Sequence, residues 1–347
     1  MSDTAGTARR TAPGGSDRPL TEAYDTALLD LDGVVYAGPD AIEHAVESLD
    51  AARAAGMRLA YVTNNASRPP RVVAEHLTEL GVPADAADVI NSAQAAARLV
   101  ADKVPAGSKV LVVGGAGLLE AVAERGLVAV RSLAEGPAAV VQGYDPSVGW
   151  QQLAEAAYAV QQGLPWVASN TDLTIPTARG IAPGNGTLVA AVRAAAGVDP
   201  EVAGKPMPPM HRETVLRTGA KRPLVVGDRL DTDIEGAHRG GVDSLLVFTG
   251  VTTPALLLAA PAEHRPTYLA ADLRGLLLAQ PAVSAVAGGG FACGGWTASV
   301  QDGVLHLDGV GEDRYDGLRA LCAAAWMASD GADGAADGRK ALADLGF

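Results

Sequence analysis

Residues 28–36 read LLDLDGVVY: an apolar run, Leu28-Leu29, ends in two aspartates one residue apart, Asp30 and Asp32, followed by Gly33. Like charges this close cost free energy. Asp30 also stands where a buried strand should be giving way to a loop, so the acids call for a partner that a surface turn would not need.

The same punctuation recurs outward along the chain. Strand-like runs at 57–62, 110–113, 138–141, 166–168, 224–226 and 244–248 each stop at small or polar residues. Between them lie alanine-rich or amphipathic segments, at 41–55, 69–80, 92–102, 150–162 and 187–196, that read as helices. Strands alternating with helices predict βαβ units and a mostly parallel sheet. Ligands in such sheets sit beyond the carboxyl ends of the strands. After Arg274 the texture changes. Ala287-Gly288-Gly289-Gly290 reads as a linker or loose turn. Residues 296–308 alternate around Gln301-Asp302-Gly303 as a β-hairpin, and 313–328 and 336–346 read as helices. The domain expectation is a tail at 1–20 without structure, an α/β core at 21–102 and 203–280, an inserted α/β cap at 103–202, and a small α+β domain at 285–347.

The 347 residues are ample for two or three domains. Being 48% hydrophobic but only 4% aromatic, the chain builds its cores from aliphatic side chains. A net charge of −13 leaves no basic stripe for a phosphate backbone or an anionic membrane surface, which argues against nucleic-acid and membrane partners. The two cysteines, Cys293 and Cys322, belong to no Cys/His cluster, so neither zinc nor a disulfide framework is expected. No apolar run is long enough to span a bilayer. Arg9-Arg10 is followed by no hydrophobic segment, and the expected location is the cytoplasm.

Three further stretches belong with the first: Thr63-Asn64-Asn65, Gly204-Lys205-Pro206 and Gly227-Asp228-Arg229-Leu230-Asp231-Thr232-Asp233. Singly each has a plain structural reading, as a turn, a helix cap, a surface lysine or an acidic loop. In this order, on a βαβ pattern, they resemble the four motifs of the haloacid dehalogenase superfamily of phosphohydrolases, over about residues 22–275. The Thr-Asn-Asn and Gly-Lys-Pro forms, with Thr249-Gly250-Val251-Thr252 behind the fourth motif, are similar to the subfamily of 4-nitrophenyl phosphate, nucleotide, pyridoxal phosphate, phosphoglycolate and glycerol 3-phosphate phosphatases. That subfamily carries a large α/β cap between the second and third motifs, and the segment between Asn65 and Gly204 is long enough to supply one.

The resemblance implies a Mg²⁺-dependent phosphatase. It makes Asp30 the nucleophile that becomes an aspartyl phosphate, and Asp32 the acid and then base. Thr63, Asn64 and Asn65 take the phosphate and substrate side. Lys205 offsets the charge of Asp30 and the phosphate. Mg²⁺ takes the Asp30 carboxylate, the Asp32 backbone carbonyl and the Asp228 carboxylate, with Asp233 orienting a bound water. Ile175, in the loop Asn170-Thr171-Asp172-Leu173-Thr174-Ile175-Pro176, stands where the pyridoxal phosphate enzymes carry histidine, which disfavours that substrate. The subfamily also implies a homodimer formed through the cap. A capped core followed by a block similar to part of an acetyltransferase fold resembles the actinobacterial type of glycerol 3-phosphate phosphatase. Glycerol 3-phosphate is therefore the favoured substrate. The alternatives are a nucleoside monophosphate, phosphoglycolate, an aryl phosphate, or a catalytically idle phosphometabolite sensor. Arg314-Tyr315-Asp316-Gly317-Leu318-Arg319-Ala320 loosely resembles the pyrophosphate loop of acetyltransferases. Arg319, however, stands where a small residue is needed, so the block is expected to be structural or regulatory.

Overall fold

The computed structural model describes residues 10–177, 179–331 and 334–347. The chain divides into two compact units, one of Met1–Ala60 with Ala220–Phe347, the other of Tyr61–Gly219. The second unit thus takes in residues 61–102 and 203–219 together with 103–202.

In the first unit, strand Thr26–Leu29 pairs in parallel with Pro223–Gly227, which pairs with Asp243–Val247, which pairs with Tyr268–Ala270. These runs are almost continuously apolar because a parallel strand is covered on both faces; all four residues of Thr26–Leu29 are buried. Beyond them, Ser284–Val286, Gly290–Cys293, Trp296–Gln301 and Val304–Gly309 form an antiparallel sheet in chain order. Gln301 pairs with Val304, and the two intervening residues both have positive φ, 51° at Asp302 and 74° at Gly303. That is the backbone a two-residue hairpin turn of matching twist requires. Of the two readings of 287–290, linker or loose turn, the structure has the turn, a hairpin with Val286 opposite Gly290. Helix Arg314–Asp330 covers this sheet. It shares one core with the parallel strands, in which Leu246 and Leu269 meet Leu318, Leu321 and Trp326. Cys293 and Cys322 are buried free thiols.

The expected tail requires correction. Residues 1–9 lie outside the described residues, but from Arg10 onward the chain is docked. Gly14 N–H donates to Thr267 O at 2.7 Å, Ser16 N–H to Gln280 O at 2.8 Å, and Leu20–Ala23 is helical. Polar composition suggested disorder, whereas backbone pairing, which composition does not report, supplies the order.

In the second unit a five-stranded parallel sheet runs Glu201–Val202, Trp166–Ala168, Ala139–Gln142, Lys109–Val113, Val128–Val130. Helices Trp150–Gln161 and Asn185–Ala196 cover one face through Ala156, Val160, Val189 and Val192. The glycine-rich turn at 114–117 is packed closely: a Cβ at Gly117 would stand 2.3 Å from Ala66 O. Among the described residues no helix is long and apolar enough to cross a membrane.

Helix Pro208–Thr218 is fixed by a buried acid. Glu213 has no exposed surface, and it accepts from Arg98, from Arg125 at 2.6 Å and from Arg217 at 2.5 Å. Burial alone would raise its carboxyl pKa, but the bonds from Arg98 and Arg217 and the charge of Arg125 outweigh it and hold the group below its usual range. A depressed carboxyl contributes stability that is present above its unfolded pKa of about 4.3 and is lost as pH falls through the lower folded value. Glu213→Gln should therefore cost about 3 kcal/mol in urea unfolding at neutral pH, because three guanidiniums lose their counter-charge. The difference from wild type should shrink in acid.

Candidate active site

The strand Thr26–Leu29 carries the backbone to Asp30, whose N–H donates to Val226 O at 2.8 Å. The chain then turns tightly. Leu31 O accepts from Val34, Val35 and Tyr36, and Gly33 takes φ of 86°. Leu31, Val34 and Val35 are buried, which anchors the turn and leaves Asp30 half-buried and Asp32 exposed. On the neighbouring strand, Pro223–Gly227 delivers Asp228, 1% exposed. A single π turn, Leu230–Ile234, brings Asp233 back under it, also 1% exposed. Its carboxylate accepts from Arg229 N–H at 3.2 Å. Such turns insert one residue and re-aim a side chain.

Asp30, Asp228 and Asp233 consequently converge, each offering one carboxylate oxygen within 4.8 Å of the others. Three hard oxygen donors, two of them on buried carboxylates, fit a small divalent cation such as Mg²⁺. The loop after strand Asp243–Val247 clasps the cluster. Val251 N–H donates to Asp228 Oδ2 at 2.7 Å, Thr252 N–H to Asp228 O at 3.1 Å, and the Thr249 hydroxyl to Gly33 O at 2.6 Å. A Cβ at Gly250 would lie 2.0 Å from Asp228 Oδ2, and one at Gly33 2.7 Å from the same atom. In the sequence Thr249-Gly250-Val251-Thr252 is only a family mark; in the fold its Val251 N–H and Gly250 close on Asp228.

The second unit begins within strand Arg58–Thr63, which ends at Thr63, 5% exposed, whose hydroxyl accepts from Asn65 N–H at 3.1 Å. The Asn64 side chain ties two segments together. Its oxygen accepts from Lys205 N–H at 2.8 Å, while its nitrogen donates to Lys205 O at 3.1 Å and to the Asp172 carboxylate at 3.3 Å. Lys205 Nζ donates to Val62 O at 3.0 Å. Asn170 Nδ2 donates to Asn64 O at 2.7 Å, and Asn185 Nδ2 to Asn170 O at 2.7 Å. Thr63, Asn64, Asn65 and Lys205 are thus gathered at one strand end, with Asn170 and Asp172 bonded to the same group. Asn185 had no sequence signal, because an asparagine opening a helix reads as an ordinary start. Ile175 lies in the hairpin Thr174–Thr177 with Gly180–Pro183, opposite Ala182.

Comparison with known proteins bears on both units. Residues 27–128 match the model of haloacid dehalogenase-like hydrolases, residues 202–276 a HAD-hydrolase-like model, and residues 293–347 a GCN5-related N-acetyltransferase-like domain. The chain is 45% identical over 319 residues to D-glycerol 3-phosphate phosphatase of Mycobacterium tuberculosis, covering 90% of this chain and 88% of that one. It is 37% identical over 232 residues to acid sugar phosphatase of Staphylococcus aureus, covering 66% and 88%. The crystal structure of the M. tuberculosis glycerol phosphate phosphatase in complex with magnesium superposes with a TM-score of 0.85 at 42% identity, covering 94% of this chain and 99% of that one.

The close approach of Gly250 provides a test of the acid cluster. Gly250→Ala should displace the Asp228 carboxylate and weaken Mg²⁺ binding in calorimetry by at least about tenfold, with the fold intact by circular dichroism. The family models fall on the segments carrying the acids and the lysine, and the M. tuberculosis relative aligns along nine tenths of the chain, so this chain belongs to the haloacid dehalogenase-like hydrolases.

Proposed function

We propose that this chain is a Mg²⁺-dependent phosphatase that hydrolyses a small phosphate monoester, with glycerol 3-phosphate as the favoured substrate. The observation that carries the reading is the convergence of Asp30, Asp228 and Asp233 at the ends of adjacent parallel strands. Held by Asp30, Asp228 and the Asp32 backbone carbonyl, with Asp233 behind, the cation would offset charge on the phosphoryl oxygens.

The rest is done by the chain's own groups. An Asp30 carboxylate oxygen attacks phosphorus as the bond to the leaving oxygen breaks, giving an aspartyl phosphate. Asp32 delivers its proton to the leaving alkoxide, then takes one from the water that attacks phosphorus and releases Asp30 and inorganic phosphate. The exposure of Asp32 supports this role, since the water it deprotonates in the second step must be able to reach it. Thr63, Asn64 and Asn65 serve the phosphoryl and substrate side. Lys205 balances the negative charge of nucleophile and phosphate, and its double tie to Asn64 supports a fixed placement.

Residues 103–202 act as the cap that selects the substrate, a reading supported by their own five-stranded sheet. Ile175 contributes an apolar contact there. The M. tuberculosis relative supports glycerol 3-phosphate, because its similarity extends through the cap and the C-terminal block. The proposal includes a cytoplasmic homodimer, supported by resemblance to the subfamily.

Asp30→Asn should reduce phosphate release to background, and Asp32→Asn should slow it by about 10²–10⁴-fold; an Asp30→Asn protein as active as wild type would refute the mechanism. On a panel of phosphate esters with Mg²⁺, glycerol 3-phosphate should exceed 4-nitrophenyl phosphate in kcat/KM by at least about tenfold. Equal values would remove the substrate assignment while leaving the chemistry.

A further inference from the structure

Helix Arg314–Asp330 lies in the acetyltransferase-like block, yet its contacts converge on the two ends of the loop that clasps Asp228. At the near end, the Phe248 ring, directly before Thr249, lies against Tyr315 with centroids 5.6 Å apart. Tyr315 is itself backed by Phe347 at 5.4 Å, and the Arg314 guanidinium lies 4.3 Å from the Phe347 ring centroid.

At the far end, Thr253 caps the short helix Pro254–Leu258. The fully buried Trp326 donates its indole N–H to Leu257 O at 3.0 Å. One turn further along the long helix, Asp330 receives two bonds of 2.7 Å from Arg265, whose Nε donates to Ala260 O at 3.1 Å. The Arg265 guanidinium lies 5.2 Å from the Trp326 ring centroid.

Between these grips lie the residues that donate Val251 N–H to Asp228 and the Thr249 hydroxyl to Gly33 O. A hydrogen-bond donor aimed at a metal-binding carboxylate keeps its aim only if its own backbone is held. Nor is this block arranged to receive a pyrophosphate. The Arg319 guanidinium, 4% exposed, already bonds Asp316 at 2.8 Å, Gln280 Oε1 at 2.9 Å and Leu269 O at 2.5 Å.

We propose that the C-terminal block is a brace for the Asp228 loop, with Tyr315 and Trp326 as positioning residues for cation binding. The proposal rests on the reading of Asp228 as a cation ligand. It assigns the acetyltransferase-like segment a task within the phosphatase rather than a reaction of its own.

The test uses the full chain and Mg²⁺ alone. Tyr315→Leu removes the ring against Phe248, and Trp326→Phe removes the indole donor while keeping most of its bulk. Both should raise the calorimetric Mg²⁺ dissociation constant by about tenfold, with KM at saturating Mg²⁺ unchanged. Leu305→Ala, in the same core but on the antiparallel sheet, should lower Tm without moving Mg²⁺ affinity. Folded Tyr315→Leu and Trp326→Phe proteins that bind Mg²⁺ like wild type would overturn the brace, as would an equal loss of affinity in Leu305→Ala. A wild-type chain that bound no Mg²⁺ would instead overturn the cation reading on which the brace depends.

Discussion

Three carboxylates within 4.8 Å of one another are the constraint around which the first unit is organised. Two ionised carboxylates at that distance repel by about 3 kcal/mol even at an effective dielectric of about 20. Two of the three are also nearly inaccessible to water, which raises the cost of their charge. The fold holds them together through backbone geometry: adjacent parallel strands bring Asp30 and Asp228 side by side, a π turn returns Asp233, and backbone N–H groups of Arg229 and Val251 donate to Asp233 and Asp228. Such an arrangement is costly without a cation and favourable with one, which is why the cluster reads as a site and not as an ion-pair network.

The second unit solves a different problem with a different kind of contact. The ends of its strands and loops are joined by side-chain amides, from Asn185 to Asn170 to Asn64 and from Asn64 to Lys205 and Asp172. An amide offers both donor and acceptor, so one side chain can lock two backbone segments without adding net charge. A network of this kind specifies geometry more than it adds stability.

The C-terminal block is bound to the parallel core by burial and by hydrogen bonding. Leu318, Leu321 and Trp326 sit in one apolar cluster with Leu246 and Leu269, and the buried Arg319 reaches the backbone of strand Tyr268–Ala270. A block so joined shares the stability of the parallel strands, and its loss would expose their apolar surface.

Much of this was legible in the sequence. Continuous apolar runs ending in Asp, Thr or Gly marked the parallel strands. Four short motifs marked Asp30, Thr63, Lys205 and Asp228, and in the fold Asp30 and Asp228 converge while Asn64, next to Thr63, bonds Lys205. Asp302-Gly303 marked its hairpin through the positive φ that such a turn demands. What the sequence could not yield were the contacts between segments far apart along the chain. The docking of residues 10–16, the strands on either side of Gly288, the clasp of Val251 on Asp228 and the grip of Tyr315 and Trp326 on the loop ends all depend on backbone hydrogen bonds and ring contacts. Any residue can make a backbone bond, so no residue type announces one. Residue identity determined which side-chain atoms stand at the strand ends, and the tertiary structure alone decided which backbone groups would hold them in place.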